Sequence, residues 1–278
     1  MIIAVASGKG GTGKTTVSTN LALSLKNIQF LDCDVEEPNA NIFIQANIKQ
    51  SEKVVMQIPK INDDKCDYCG KCSDFCAYNA LAVVPSKALV FPELCHSCGG
   101  CKIVCPKSAI SWDNRVIGKI EHGKTRDIEF FHGLLNVGEI QAVPVIKNLK
   151  RKISKNKNVI IDVPPGTSCP VIESISGSDY CILVTEPTPF GMYDLKLAVE
   201  VVRHMKIPFG VIINRDGIGD KKVEKYCKSE NIPILLKIPE RKKIAHLYSK
   251  GIALVNESHE WHEMFALVFD SIQKEVNK

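Results

Sequence analysis

The apolar positions of this chain fall into short, nearly unbroken runs at residues 2–6, 159–162, 181–185, 209–214 and 234–236. A strand with one wet face would alternate. Continuous runs of this length predict strands buried on both faces, as in a parallel sheet. Phe30 and Leu31 form a further short run that leads into Asp32-Cys33-Asp34, and the run at 159–162 likewise ends in an acid, Asp162. Helical periodicity lies between the runs, from 15 to about 25 and near 192–206, 220–229, 241–249 and 259–275. The alternation predicts an α/β fold: a mostly parallel sheet covered by helices.

This rhythm stops between about Ile58 and Arg115. Cysteine becomes dense, and the segment repeats itself. Residues 65–81 align with 94–110 at an offset of 29, superposing Cys66 on Cys95, Cys69 on Cys98, Gly70 on Gly99, Cys72 on Cys101, Cys76 on Cys105 and Ala80 on Ala109. A duplicated small α+β domain at 59–115, inserted into a larger domain made of 1–58 and 116–278, is the expected organisation. The chain should re-enter the sheet through a strand and loop region around 116–139.

Each half of the repeat reads C-x2-C-x2-C-x3-C, and proline follows the second run. That is the spacing of bacterial two-cluster ferredoxins, in which the fourth cysteine of each run serves the other cluster. The expected ligand sets are Cys66, Cys69, Cys72 and Cys105 for one [4Fe-4S] cluster, and Cys95, Cys98, Cys101 and Cys76 for the second. Zinc favours paired C-x2-C knuckles and fits this spacing less well. Ala77 departs from the pattern, which has proline after the fourth cysteine. His96 reads as a neighbour of the ligands. Cys33 and Cys181 read as buried apolar cysteines, and Cys227 carries no assigned role.

Gly8-Lys9-Gly10-Gly11-Thr12-Gly13-Lys14-Thr15 satisfies G-x-x-x-x-G-K-[ST], after a predicted strand and before a predicted helix. That context makes it a phosphate-binding loop. Backbone N–H groups of the glycines curl around phosphates, Lys14 reaches the β- and γ-phosphates, and the Thr15 hydroxyl ligates Mg²⁺. Thr16 completes the cradle. The expected ligands are ATP and Mg²⁺.

Lys9 is the unusual residue. K-G-G-T-G-K-T-T resembles the deviant loop of the MinD/ParA superfamily of P-loop ATPases, and the full chain resembles members that carry an inserted ferredoxin domain. The resemblance implies that Lys9 reaches across an ATP-dependent dimer, either a homodimer or a pair with a paralogous ATPase. It implies that Asp34 positions the attacking water in switch I, with Asp32 nearer the metal. Asp162 would hold Mg²⁺ through water, and Gly166 of the following V-P-P-G would sense the γ-phosphate. Asn214 would read adenine, and Pro239 and Glu240 would line its other side. It implies a slow, partner-stimulated ATPase. Cys169 lies seven residues after Asp162, the offset of a dimer-bridging cluster cysteine in the related nitrogenase iron protein, but its leading reading is a buried structural cysteine near the switch.

Charge and composition narrow the partners. The net charge is +5, with the densest basic stretch at Lys147–Lys157, but no aromatic residues interleave with it, so nucleic acid is not expected. No apolar run is long enough to span a bilayer, and the acidic tail from 258 onward reads as a packed helix rather than a membrane-seeking one. No signal peptide is evident, so the cytoplasm is expected, where many cysteines point to metal rather than disulfides. The leading functional reading is an ATP-gated electron carrier serving a client redox, iron–sulfur or molybdenum-cluster protein. A cluster or metal carrier, and a partner-positioning switch with structural clusters, are the alternatives.

Overall fold

The computed structural model describes residues 1–277. Its strands are β1 (Ile2–Ala6), β2 (Ile28–Asp32), β3 (Asn47–Ile61), β4 (Leu81–Val84), β5 (Lys87–Val90), β6 (Ile110–Thr125), β7 (Ile128–Leu135), β8 (Asn158–Asp162), β9 (Tyr180–Thr185), β10 (Phe209–Asp216) and β11 (Ile234–Pro239). One sheet runs β11-β10-β9-β1-β8-β2-β7-β6-β3, and β4 and β5 form a separate hairpin. From β11 to β7 all neighbours are parallel. The β7–β6 and β6–β3 pairs are antiparallel and complete one edge.

Both faces of the central strands are buried, which explains their unbroken apolar runs. Ala4 and Ala6 of β1 join one core with Leu31, Ile161, Leu195 and Val199. Ile3 and Val5 face the other way, into a core with Val17, Leu21, Phe30 and Phe265. The C-terminal helix His259–Val276 packs there through Phe265, Val268, Phe269 and Ile272. Among the described residues, no helix is long and apolar enough to cross a membrane.

The region around 116–139 is more regular than its sequence pattern implied. It holds most of β6 and all of β7, joined by a tight turn. The partner strand β3 had no apolar signature because most of its side chains face water; Val54 and Met56 are its contribution to the core. Such charged, sparsely apolar strands are typical of sheet edges. Pairing runs from Asn47 opposite Lys124 to Ile61 opposite Ile110, with two register shifts. The arm therefore crosses positions 58/59 and 115/116 without interruption and ends in a small lobe, residues 62–109.

Within the lobe the 29-residue repeat of the sequence reappears as backbone geometry. Ile61 pairs with Ile110 at the end of the β3–β6 ladder, and their repeat equivalents, Val90 and Leu81, pair in the β4–β5 hairpin. The Asn62 N–H donates to the Ala109 carbonyl at 2.8 Å, and the Phe91 N–H donates to the Ala80 carbonyl at 2.9 Å. Left-handed backbone recurs at Tyr68 and Ser97 (φ 57° and 55°), Gly70 and Gly99 (80° and 81°), and Asn79 and Ser108 (52° and 50°). The lobe's apolar core is small: Leu81, Cys101 and Ile110 are buried, flanked by Ile61, Val90, Trp112 and further cysteines.

Candidate nucleotide site and cysteine lobe

The phosphate-binding loop connects β1 to the helix Lys14–Leu23. Gly13 begins that helix at φ +95°, and a Cβ there would lie 2.2 Å from the Asn214 amide nitrogen. Only glycine fits. The Asn214 amide donates to the Thr12 carbonyl at 2.8 Å, so β10 braces the loop. A cavity of about 430 Å³ opens above it, lined by Gly10, Gly11, Gly13, Lys14, Thr15 and Thr16. Asp34, Asn214, Pro239 and Glu240 line the same cavity, as do the apolar Phe43, Ile244, Tyr248 and Leu254. Gly8 lies beneath, against the backbone of Asp194. Burial pushes the Lys14 ammonium below its usual range, opposed by Asp162, Asp34 and Asp32. An anionic ligand beside it would remove that penalty.

The acids sit where strand register brings them. Asp32 of β2 is directly opposite Asp162 of β8, and both are fully buried. One Asp32 oxygen accepts from the Asp34 N–H at 3.1 Å and the other from the Ala40 N–H at 3.0 Å. Asp32 therefore shapes the loop 33–40 that carries Asp34. Asp162 has no hydrogen-bond partner on either carboxylate oxygen. A buried carboxylate left bare is costly, and a hard divalent cation beside it and the Thr15 hydroxyl satisfies it. Burial pushes Asp162 up to about 7, with the nearby Thr15 hydroxyl and then Lys14 opposing and Asp34 adding to the rise. Asp32 is raised well above the carboxylate range by burial and by Asp162. Asp34, nearer the surface, is pushed up to about 6 by burial, again against Lys14. Gly166, at φ +100°, donates its N–H to the Ser7 carbonyl at 3.1 Å, tying the segment after β8 to the start of the loop.

Lys9 does not line the cavity. Its ammonium lies 2.5 Å from Glu186, a buried residue at the end of β9 that sequence reasoning missed. Glu186 also meets Arg215 at 3.1 Å and the Thr188 hydroxyl at 3.2 Å.

In the lobe, the eight cysteines of the two runs ring two cavities. One is lined by Cys66, Cys69, Cys72 and Cys105, the other by Cys76, Cys95, Cys98 and Cys101. Each cavity thus takes three cysteines from one run and the fourth from the other. Among the described residues, no three His, Cys, Asp or Glu side chains converge closely enough to hold a single metal ion. Backbone N–H groups already point at sulfur: Ala80 donates to Cys76 Sγ at 3.3 Å, its repeat equivalent Ala109 to Cys105 Sγ at 3.3 Å, and Ser97 to Cys95 Sγ at 3.4 Å. Such donors stabilise thiolate charge. Burial raises the thiols of Cys72, Cys95 and Cys101, with nearby cysteines adding to each rise. His96 stacks on Tyr78 at 3.6 Å between ring centroids, beside the second cavity.

The remaining cysteines separate by exposure. Cys33, Cys181 and Cys227 are fully buried, and burial raises the thiols of Cys181 to about 12 and Cys227 to about 11. Cys169 is exposed at the start of the helix Cys169–Ile175, not buried as its leading reading expected, because it opens a helix at the surface. Much of the basic stretch is tied down. Lys150 donates to the carbonyls of Glu173 and Ser176, while Lys152 pairs with Glu52 and Lys157 with Glu129.

Residues 3–255 match the CbiA family, described as the CobQ/CobB/MinD/ParA nucleotide binding domain. The chain belongs to that family. An uncharacterized protein of Methanocaldococcus jannaschii is 34% identical over 258 residues, covering 90% of each chain. An iron-sulfur cluster carrier protein of Pyrococcus abyssi is 25% identical, over 91% of this chain and 78% of that one. In fold, the chain resembles the septum site-determining protein MinD of Pyrococcus horikoshii, complexed with Mg-ADP, with a TM-score of 0.60 at 20% identity over 98% of this chain and 96% of that one.

For a member of the CobQ/CobB/MinD/ParA family, the nucleotide-binding assignment is thus secure, and ATPase activity in general accords with it. Sequence reasoning overlooked two side chains with specific contacts besides Glu186. Glu139 pairs with Arg115 at 2.7 Å, and the Gln141 amide donates to the Cys95 carbonyl at 2.8 Å. No motif marks any of them, because their partners lie at unrelated distances along the chain.

Proposed function

We propose that this chain is an ATP-switched iron–sulfur protein, whose nucleotide state governs electron transfer from two [4Fe-4S] clusters to a client redox or metallocofactor protein. The observation that carries this reading is the sorting of eight cysteines into two rings, each mixing the two runs. Such crossing is what two-cluster ferredoxin ligation requires. When bound, the clusters supply one-electron carriers of low potential. Cys66, Cys69, Cys72 and Cys105 would hold one, and Cys95, Cys98, Cys101 and Cys76 the other. The small apolar core supports the same reading, because a lobe of this size needs a metal or disulfide staple.

In the nucleotide site, Lys14 and the N-terminus of the helix Lys14–Leu23 would bind phosphate, Thr15 and Asp162 would hold Mg²⁺, and Asp34 would orient the attacking water. Phosphoryl transfer needs positioning and charge neutralisation more than a covalent nucleophile. Lys9 would complete the site of a second copy, or of a paralogous ATPase, in an ATP-dependent dimer. The ATPase is slow on its own and stimulated by the client, and it works in the cytoplasm.

The test is an anaerobic EPR redox titration with and without a slowly hydrolysed Mg·ATP analogue. A change in cluster potential at constant iron content is expected. Iron lost or passed to an apo-acceptor on nucleotide binding would instead favour a cluster carrier. The likeness to a protein named an iron-sulfur cluster carrier, and the exposed Cys169, speak for that second reading.

A further inference from the structure

Residues 135–141, from the last residue of β7 to the helix Ala142–Lys150, touch both functional regions. At one end, the Leu135 N–H donates to the carbonyl of Val35 at 2.8 Å, and Val35 follows Asp34 directly. Val35 is buried, and Gly133 packs so close to it that a Cβ there would lie 2.6 Å from Val35 Cγ1. The backbone of β7 therefore cannot ignore a shift of the loop 33–40. Next, the Asn136 N–H donates to the Ile117 carbonyl, and its side-chain amide to the Val116 carbonyl, both at 2.9 Å. This fastens the segment to the arm.

At the other end the contacts reach the lobe. The Glu139 side chain, 2% exposed, pairs with Arg115 at 2.7 Å. Arg115 in turn donates to the Pro92 carbonyl at 2.8 Å. Gln141 donates to the carbonyl of Cys95 at 2.8 Å. Cys95 lines the cavity ringed by Cys76, Cys95, Cys98 and Cys101, and Pro92 lies three residues before it in the chain. The Sγ of Cys95 already accepts the Ser97 N–H, so a displaced Cys95 backbone alters the donors around a ligating sulfur. Hydrogen bonds to sulfur and nearby charge are the protein's means of setting a cluster's potential.

We propose that segment 135–141 couples the loop carrying Asp34 to the Cys76/Cys95/Cys98/Cys101 cavity, with Gln141 as its positioning residue, so that nucleotide state acts on that cavity and not on its twin. The inference rests on the redox reading above and goes further: it names the cluster that responds and the residue that transmits.

The experiment uses the anaerobic holoprotein, wild type and Gln141→Leu, with and without the Mg·ATP analogue. EPR redox titration reads the two potentials, and hydrogen exchange reads the amides of 135–141. In wild type, the analogue should slow exchange at Leu135 and Asn136 and change the reduced-to-oxidised ratio of one cluster about tenfold, ~59 mV for a one-electron couple, leaving the other unmoved. In Gln141→Leu the exchange response should persist and the potential response fall below about twofold. A wild-type response that survives in Gln141→Leu, or that moves both clusters together, overturns the inference alone. No change in either potential in wild type overturns it together with the redox reading. Should Gln141→Leu lose iron, Glu139→Gln, which weakens the link to Arg115, takes its place in the same comparison with the same outcomes.

Discussion

The Lys9 ammonium rests against the carboxylate of Glu186 at 2.5 Å, within its own chain. Burial alone would raise Glu186, but Lys9, Arg215 and the Thr188 hydroxyl together hold its carboxyl below the usual range. The lysine expected to serve a partner's nucleotide is therefore held within its own chain, and the proposed dimer requires this pair to break.

Removing the holding charge should ease that step. Partly exposed ion pairs contribute up to about 1 kcal/mol, or about fivefold in an equilibrium. Glu186→Gln is expected to dimerise with the ATP analogue at several-fold lower protein concentration, measured by analytical ultracentrifugation. Lys9→Ala is expected to stay monomeric with the analogue while binding nucleotide within a few-fold of wild type. A Lys9→Ala protein that dimerises like wild type would remove the trans role.

The bare carboxylate of Asp162 predicts a pH-dependent response to Mg²⁺. Its folded pKa is raised from 3.8 to about 7. A raised acid favours the folded state while protonated, so its contribution is complete below about pH 4 and lost as pH rises through about 7. Mg²⁺ needs the ionised form and offsets that loss. The rise in Tm on adding Mg²⁺ should thus be small at pH 5.5 and grow by a few °C at pH 8, with proton release detectable by calorimetry in buffers of different ionisation heat. Asp162→Asn should flatten this pH dependence and raise the metal-free Tm at pH 8. An equal Mg²⁺ response at both pH values would sink the assignment.

The central sheet was legible because strands buried on both faces, such as β1 and β8, must be apolar throughout. The phosphate loop and the cysteine runs were legible because each packs its chemistry into one contiguous segment. β3 was not, because an edge strand with Val54 and Met56 as its buried hydrophobics leaves little periodic trace. Nor was the β3–β6 arm, since pairing Asn47 with Lys124 spans a distance no local pattern encodes. Glu186, Glu139 and Gln141 escaped for the same reason: each acts through a tertiary contact. Asn214, expected to read adenine, lines the cavity, and its hydrogen bond to Thr12 was not foreseeable.

The crossed cysteine rings predict which substitutions resemble one another. Cys105→Ser should lose about half of the roughly eight irons and leave a spectrum like that of Cys69→Ser. Cys76→Ser should instead match Cys98→Ser. EPR of the reduced proteins with iron analysis checks both pairs. If Cys105→Ser matched Cys98→Ser, each cysteine run would serve its own cluster and the crossed assignment would be wrong.

Asn214 and Gly13 meet at the loop, and their substitutions should differ in degree. Gly13→Ala puts a methyl group onto the Asn214 amide at a backbone angle that favours glycine, so nucleotide binding should be abolished. Asn214→Ala removes one hydrogen bond to Thr12, with a net contribution of about 1 kcal/mol, and should weaken ADP binding about fivefold. Because the bond braces the loop, tripolyphosphate, which has no base, should weaken in the same proportion. Calorimetric titration of both ligands decides the point. If tripolyphosphate affinity were unchanged while ADP affinity fell, Asn214 would act on the base alone, and the bond to Thr12 would have no part in holding phosphate.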